Sequence, residues 1–107
     1  MNTDPSLACN MGVFTPAQHE AHILGTTELV QRVENFRAVE NGYQFSFPNE
    51  TDLISKIAEF IANERLCCPF LKFTLNVNSS DEPISLSLSG PTGTQEFLRA
   101  EFSGAFQ

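Results

Sequence analysis

The amino-acid sequence predicts a two-layer α+β fold, in which helices pack on one face of a four-stranded antiparallel sheet. Residues 43–47, 71–77 and 84–88 alternate apolar and polar residues, as strands do when one face of their sheet meets water, and a turn signal at Asn41-Gly42 pairs the first of them with a strand before it. Between that pair and the other two segments, residues 53–61 repeat apolar side chains at helical spacing. Short polar loops join the members of each pair, so we expect two hairpins and the element order α-β-β-α-β-β-α.

The first helix is predicted from its start. Thr15 is the expected N-cap, Pro16 occupies the first helical position, and Gln18 completes a capping box with Thr15. Apolar residues continue at helical spacing as far as Leu24, and we expect the helix to end near Gly25.

Residues 28–39 suit either a helix or a strand. The Asn41-Gly42 dipeptide that follows is a strong hairpin signal, and residues 43–47 then alternate aromatic rings with polar side chains. We therefore predict a hairpin whose first strand ends near Val39 and starts between residues 28 and 33.

The central helix and the second hairpin follow. Asn49 or Thr51 is the expected N-cap of that helix. Residues 71–77 and 84–88 alternate apolar and polar side chains on either side of a short polar loop, which predicts the second hairpin. Gly90-Pro-Thr-Gly93 is expected to form a turn and to cap a last short helix.

Length and charge limit the classes of function. The 107 residues suit a single domain, which we place at residues 15–107 after an N-terminal arm of residues 1–14 that carries Cys9. The net charge of −7 and the scattered basic residues argue against nucleic acid and anionic membrane surfaces as partners. No apolar run reaches the roughly 20 residues of a membrane span, and the N-terminus lacks a signal-peptide pattern. With an odd count of 3 cysteines, these features predict a cytoplasmic protein with reduced thiols.

The segment Glu64-Arg-Leu-Cys-Cys-Pro-Phe-Leu71 is the predicted functional site. Pro69 cannot continue a helix and disfavours the α conformation at Cys68, so the central helix should end at or near Cys67. Two neighbouring thiols then lie at a short corner between a helix and a strand. Thiolates bind soft metals. Because two neighbouring thiols are already held close together, little further conformational entropy is lost when both bind one ion.

Thiol chemistry favours metal binding over nucleophilic catalysis at this corner. A helix C-terminus is the negative end of the helix dipole, and Glu64 lies one turn back, so both raise the pKa of the thiols. A bound metal, by contrast, drives the deprotonation of its own ligands. Adjacent cysteines fit a tetrahedral zinc site poorly, whereas arsenite or mercury fits three thiolates if Cys9 lies over the corner. Free cysteine also packs well as a buried apolar residue, so a purely structural role has about equal weight.

His19 and His22 lie three residues apart and share one face of the first predicted helix. Imidazole is a common metal ligand, which makes both histidines candidates for accessory ligands. On a surface helix, histidines are more often solvated and without such a role, and this interpretation is favoured.

Four segments of the chain stand out as motifs: Ala8-Cys9-Asn-Met11, Asn41-Gly-Tyr-Gln-Phe-Ser-Phe-Pro48, Glu64-Arg-Leu-Cys-Cys-Pro-Phe-Leu71 and Gly90-Pro-Thr-Gly-Thr-Gln-Glu-Phe-Leu-Arg99. They resemble a family of small, largely uncharacterised bacterial proteins and domains. Its members have a Cys-Cys-Pro-Phe block after a helix, an upstream Ala-Cys, and a Gly-Pro-x-Gly turn before a final helix. The resemblance covers nearly the whole chain and implies a cysteine site, with an association with soft-metal or mercury handling.

We therefore interpret the protein as a cytoplasmic binding protein for a thiophilic metal or metalloid of the mercury or arsenic type. Cys9, Cys67 and Cys68 are the predicted ligands. Two alternatives stay open. In one, the protein is a thiol-based redox or organometal-processing enzyme, in which one cysteine attacks and another resolves. In the other, it is a structural or interaction module with packed cysteines, for instance a homodimer.

Overall fold

The computed structural model describes residues 9–79 and 81–106, so residues 1–8 of the predicted arm lie outside it. The helices are α1 (Pro16–Arg32), α2 (Thr51–Cys67) and α3 (Thr94–Glu101), and the strands are β1 (Asn35–Val39), β2 (Gly42–Phe47), β3 (Lys72–Asn76) and β4 (Ile84–Ser89). Two short 3-10 helices, Met11–Val13 and Ser103–Phe106, precede α1 and follow α3. The predicted α+β class and the predicted order of helices and strands are confirmed.

The four strands form one antiparallel sheet in the order β1-β2-β4-β3. The register aligns residues of like character across all four strands, and this alignment gives the sheet one apolar and one polar face. The helices pack on the apolar face. One apolar row is Phe36, Phe45, Leu86 and Leu75, and the neighbouring polar row is Arg37, Gln44, Ser87 and Thr74.

Helix α1 is longer than the sequence predicted. Its start is confirmed, because Thr15 and Gln18 form the expected capping box. Its predicted end near Gly25 is wrong, because α1 continues to Arg32, and the predicted start of the first strand is therefore wrong as well. Leu29, only 5 % exposed, packs in the core, and this packing outweighs the low helix propensity of Gly25 and the threonines that follow it.

The first hairpin is confirmed, but its turn lies one residue earlier than the Asn41-Gly42 dipeptide indicated. Val39 pairs with Gly42, so the two turn residues are Glu40 and Asn41. Asn41 has a φ of 53°, a left-handed conformation that asparagine tolerates. Gly42 is the first residue of β2 and touches the neighbouring strand β4, where a Cβ atom would lie 2.0 Å from the carbonyl oxygen of Leu88.

Helix α2 begins differently from the prediction and ends as predicted. Its N-cap is Glu50, so the expectation of Asn49 or Thr51 is wrong. The Asn49 side chain instead donates hydrogen bonds to the carbonyls of Asn78 and Glu82, both at 2.9 Å, and so holds the loop between β3 and β4. The helix ends at Cys67, the residue that the sequence indicated.

The second hairpin and the last helix are confirmed. Gly93 is the N-cap of α3 with a φ of 100°, a conformation that favours glycine and accounts for the end of the Gly90-Pro-Thr-Gly93 turn. Among the helices of the described part of the chain, none has the length and apolar character that crossing a membrane requires.

Two glycine substitutions test this packing. Gly42→Ala should lower the free energy of unfolding by about 3 kcal/mol, because the new Cβ overlaps the backbone of β4. Gly25→Ala should raise it by about 0.5–1 kcal/mol, because Gly25 lies inside α1 with open space around it. Urea unfolding of the two variants and the parent measures both values. Equal stability of the two variants would show that Gly42 does not lie against β4.

Candidate functional site

The corner after α2 is fixed by the backbone. Cys68 leaves the helical conformation, with φ −121° and ψ 74°, because Pro69 follows it. Its amide still donates a 2.7 Å hydrogen bond to the carbonyl of Glu64, and the amide of Leu71 donates to the carbonyl of Cys68 at 3.1 Å. These hydrogen bonds fix the backbone of the corner. Both cysteines are buried there, Cys67 with 1 % and Cys68 with 0 % of its surface exposed.

The N-terminal segment reaches this corner through its backbone. The amide of Asn10 donates a 2.5 Å hydrogen bond to the carbonyl of Cys67. The carbonyl groups of the last helical turn have no partner within the helix, so Asn10 satisfies one of them. Cys9, the residue before Asn10, is thereby placed against the end of α2.

Cys9 and Cys68 form a disulfide, with a sulfur–sulfur distance of 1.98 Å and a Cα–Cα distance of 4.5 Å. The expectation of three reduced thiols is therefore wrong for this structure. The sequence argument used the odd number of cysteines, which leaves one thiol free but does not prevent the other two from pairing. The free thiol is that of Cys67, which is buried.

The structure brings all three predicted cysteines into one cluster. The sulfur of Cys67 lies 3.6 Å from that of Cys68, and the sulfurs of Cys9, Cys67 and Cys68 all lie within 4.8 Å of one another. Sulfur ligands at such separations can converge on one ion, so the cluster could hold a metal.

A buried carboxylate and a buried histidine adjoin the sulfur cluster. Glu64 is 3 % exposed and His22 is 8 % exposed, and the Nε2 atom of His22 lies 2.7 Å from the Oε1 atom of Glu64. The thiol of Cys67 donates to the same oxygen at 3.5 Å. The Oε2 atom of Glu64 lies 3.4 Å from the Cys68 sulfur. Because the disulfide leaves that sulfur without a proton, the second approach is a contact and not a hydrogen bond.

The two histidines of α1 differ in their surroundings. The favoured interpretation of both as solvated side chains is wrong for His22, whose ring lies between Phe14 and Phe60, with ring centroids 5.4 and 5.8 Å away. His19 is only half-buried and belongs to neither of the clusters of metal-ligating groups formed by the described residues. Of the two histidines, only His22 belongs to such a cluster, together with Glu64 and Cys67, and it is not part of the three-sulfur cluster.

Sequence reasoning treated Glu64 only as a charge near the thiols and missed it as part of the site. A signal was present, because residues three and four positions apart on a helix share a face, and Cys67 and Cys68 follow Glu64 by those intervals. The burial of a carboxylate could not be read from this spacing. It requires a partner, and the partner is His22 on another helix.

The surroundings keep the Cys67 thiol protonated. Burial is the largest cause that raises the pKa of Cys67 to about 12, followed by the charge of Glu64 and the hydrogen bond to it. The pKa of Glu101 at the end of α3 is raised too, through partial desolvation and the charge of Glu64. These directions agree with the prediction that the corner is not an activated nucleophile.

A groove of about 480 Å³ runs between α1 and α2 and reaches the ring of His22. Its walls carry polar side chains from both helices, and Phe60 forms part of its floor. Besides His22, its polar and charged lining residues are Gln18, Thr26, Glu28, Lys56, Glu59 and Asn63. The groove is thus a route by which solvent and small ions can approach His22.

Comparison with known proteins adds no relative: the chain significantly matches no model of a protein family, no curated protein and no solved structure.

Removal of the Glu64 charge should lower the pKa of Cys67. Glu64→Gln keeps the size of the side chain but takes away the negative charge that disfavours the thiolate. The rate at which a small thiosulfonate modifies Cys67 in the disulfide-bonded protein, measured against pH, should rise roughly tenfold for each unit by which the pKa falls.

Glu59→Gln is the matched control, because Glu59 is an exposed residue of the same helix. It should leave the pH profile of Cys67 unchanged. A Glu64→Gln profile identical to that of the parent would show that the carboxylate does not act on this thiol.

Proposed function

We propose that the reduced protein binds a thiophilic metal or metalloid ion through Cys9, Cys67 and Cys68. The observation that supports this most strongly is the convergence of three sulfurs within 4.8 Å of one another. They come from two distant parts of the chain, with Cys9 separated from Cys68 by 59 residues. The resemblance to bacterial proteins with a Cys-Cys-Pro-Phe block supports the same ligands.

The disulfide must open before three thiolates are available. A cellular dithiol supplies the two electrons and two protons that convert the Cys9–Cys68 bond into two thiols, and is itself oxidised to a disulfide. Cys67 is already a free thiol, and its raised pKa favours the protonated form. Arsenite, As(OH)₃, then exchanges its three hydroxyls for three thiolates and releases three water molecules, so that all protons are accounted for.

Burial favours a trivalent metalloid over mercuric ion. Three thiolates and one trivalent ion form a neutral group, whereas three thiolates around a divalent ion leave one negative charge. Because Cys67 and Cys68 are at most 1 % exposed and Glu64 lies beside them, an additional buried negative charge is costly. Mercuric ion is accordingly expected to use two sulfurs.

The protonated state of Cys67 favours binding over thiol catalysis. Attack on a disulfide requires a thiolate, and a thiol with a pKa of about 12 is ionised in about one molecule in 10⁵ at neutral pH. A metal does not need a thiolate in advance, since it displaces the proton as it binds. A redox enzyme that attacks through Cys67 is therefore the weaker alternative, and the packed structural module remains an outcome of the test.

The reduced protein should bind one equivalent of arsenite per chain. Titration calorimetry in a phosphine reductant gives the stoichiometry, and mass spectrometry after alkylation should show all three thiols protected together. The folded chain offers three sulfurs and the unfolded chain only the adjacent pair, so the midpoint of thermal unfolding should rise with arsenite, by the equivalent of at most about 2.7 kcal/mol at 100 times the dissociation constant.

Cysteine variants separate the outcomes. Cys67→Ser and Cys68→Ser should each abolish tight binding, and Cys9→Ser should weaken it, while His19→Ala serves as the control that leaves it unchanged. Unaltered affinity in Cys9→Ser would contradict the three-thiolate site and leave only the neighbouring pair. Unaltered binding in the double Cys67/Cys68 variant would contradict metal binding at the corner and favour packed cysteines.

A further inference from the structure

A second set of three ligand atoms lies beside the sulfur cluster and does not depend on its redox state. Nε2 of His22, a carboxylate oxygen of Glu64 and Sγ of Cys67 all lie within 4.8 Å of one another, and all three residues are buried. Cys67 is the only member that this set shares with the sulfur cluster. The set stays complete when Cys9 and Cys68 are joined, because Cys67 remains a thiol.

From this geometry we propose that His22, Glu64 and Cys67 form a site for a borderline divalent cation such as zinc while the Cys9–Cys68 disulfide is closed. Nitrogen, carboxylate oxygen and thiolate sulfur are the three ligand types that zinc uses in proteins. The magnesium ion prefers oxygen ligands and a near-octahedral shell, so this site excludes it. The proposal does not rest on the three-thiolate site, which exists only after reduction.

The scaffold holds the three donors in place. Glu64 and Cys67 are three residues apart on α2 and so share a face, and α1 packs against that helix and supplies His22. The ring of His22 is fixed by its stacking on Phe60 and its tilted contact with Phe14. Donors held by two packed helices need little rearrangement to close on an ion, which favours binding.

Charge balance supports a divalent ion here. The Glu64 carboxylate and a Cys67 thiolate carry two negative charges, and with a neutral imidazole they are balanced by one ion of charge +2. A neutral group of this kind can remain buried, whereas the two anions alone could not. In the metal-free protein the atoms that would bind the ion are otherwise engaged: the sulfur of Cys67 carries a proton, and His22 and Glu64 are hydrogen-bonded to each other. Protons and metal therefore compete for these atoms.

The groove between α1 and α2 leads to the His22 side of the set, and Glu64 and Cys67 are not among its lining residues. It reaches His22 from the solvent and is lined by polar side chains that include Glu59 and Asn63. Three protein ligands with water in the fourth position are the usual arrangement of a zinc ion that stays open to solvent. The three-sulfur site and the His22–Glu64–Cys67 site both use Cys67, so an ion in one site excludes an ion from the other. Reduction of the disulfide would therefore replace a bound borderline ion such as zinc by a soft one.

Cadmium tests the site, since it binds like zinc and its bond to a thiolate absorbs in the ultraviolet. Disulfide-bonded protein, stripped of metal and kept free of reductant, should bind one equivalent of Cd²⁺ with a thiolate-to-cadmium band. A large molar excess of Zn²⁺ should displace it, and the same excess of Mg²⁺ should not. In the parent protein, Zn²⁺ should also protect Cys67 from alkylation, and this readout needs no variant to fold.

The variants identify the ligands. Cys67→Ser should remove the ultraviolet band. His22→Ala and Glu64→Gln should weaken binding at least about 100-fold, more than the roughly 10–100-fold expected for loss of an outer-shell partner. His19→Ala and Ser55→Ala are the controls on the same two helices, outside both clusters of metal-ligating groups formed by the described residues, and should bind as the parent does.

Three results would overturn the proposal: no Cd²⁺ binding by the disulfide-bonded protein, no zinc protection of Cys67, or folded His22→Ala and Glu64→Gln variants with parental affinity. None of them bears on arsenite binding by the reduced protein, so the two proposals can fail separately.

Discussion

The site depends on the end of one helix. Pro69 stops α2 after Cys67, and the stop leaves a carbonyl group of the last turn without an intrahelical partner. The amide of Asn10 donates a hydrogen bond to that carbonyl, which belongs to Cys67. This backbone hydrogen bond places Cys9 where it pairs with Cys68. If the helix continued past Cys67, the side chains of Cys67 and Cys68 would point in different directions around its axis. The carbonyl of Cys67 would also no longer be free to accept the hydrogen bond from Asn10. The sulfur cluster is therefore a consequence of helix termination.

Burial then decides what the cluster can do. The corner excludes water, so its one free thiol is kept protonated by burial and by the charge of Glu64. The same carboxylate is itself tolerated inside the protein because His22 lies against it. Sulfur, carboxylate and imidazole thus share one low-dielectric region, in which a positive ion can replace protons without leaving a net charge. Such a region could hold a cation, and it is a poor one for nucleophilic attack by Cys67.

The parts of the fold that were predictable from sequence are those set by local rules. The alternation in residues 71–77 and 84–88 gave two strands, and the Thr15–Gln18 capping box and Pro69 gave a helix start and a helix end. The errors arose where distant packing decides. Helix α1 continues through Gly25 because Leu29 packs in the core. The residues next to Gly25 in the sequence do not reveal this packing. Likewise the three cysteines were identified in advance, but the disulfide and the approach of His22 to Glu64 depend on how α1 and the N-terminal segment meet α2.

In our proposal two ligand sets share Cys67, so the ion that the corner binds depends on its redox state, and the three-sulfur cluster is the central part of that proposal. X-ray absorption at the arsenic edge, on reduced protein with one equivalent of arsenite, counts the atoms bound to the metalloid. Three sulfur neighbours and no oxygen are expected, because the sulfurs of Cys9, Cys67 and Cys68 converge in the folded chain. Arsenic that keeps an oxygen neighbour in the folded, fully reduced protein would contradict the three-thiolate site.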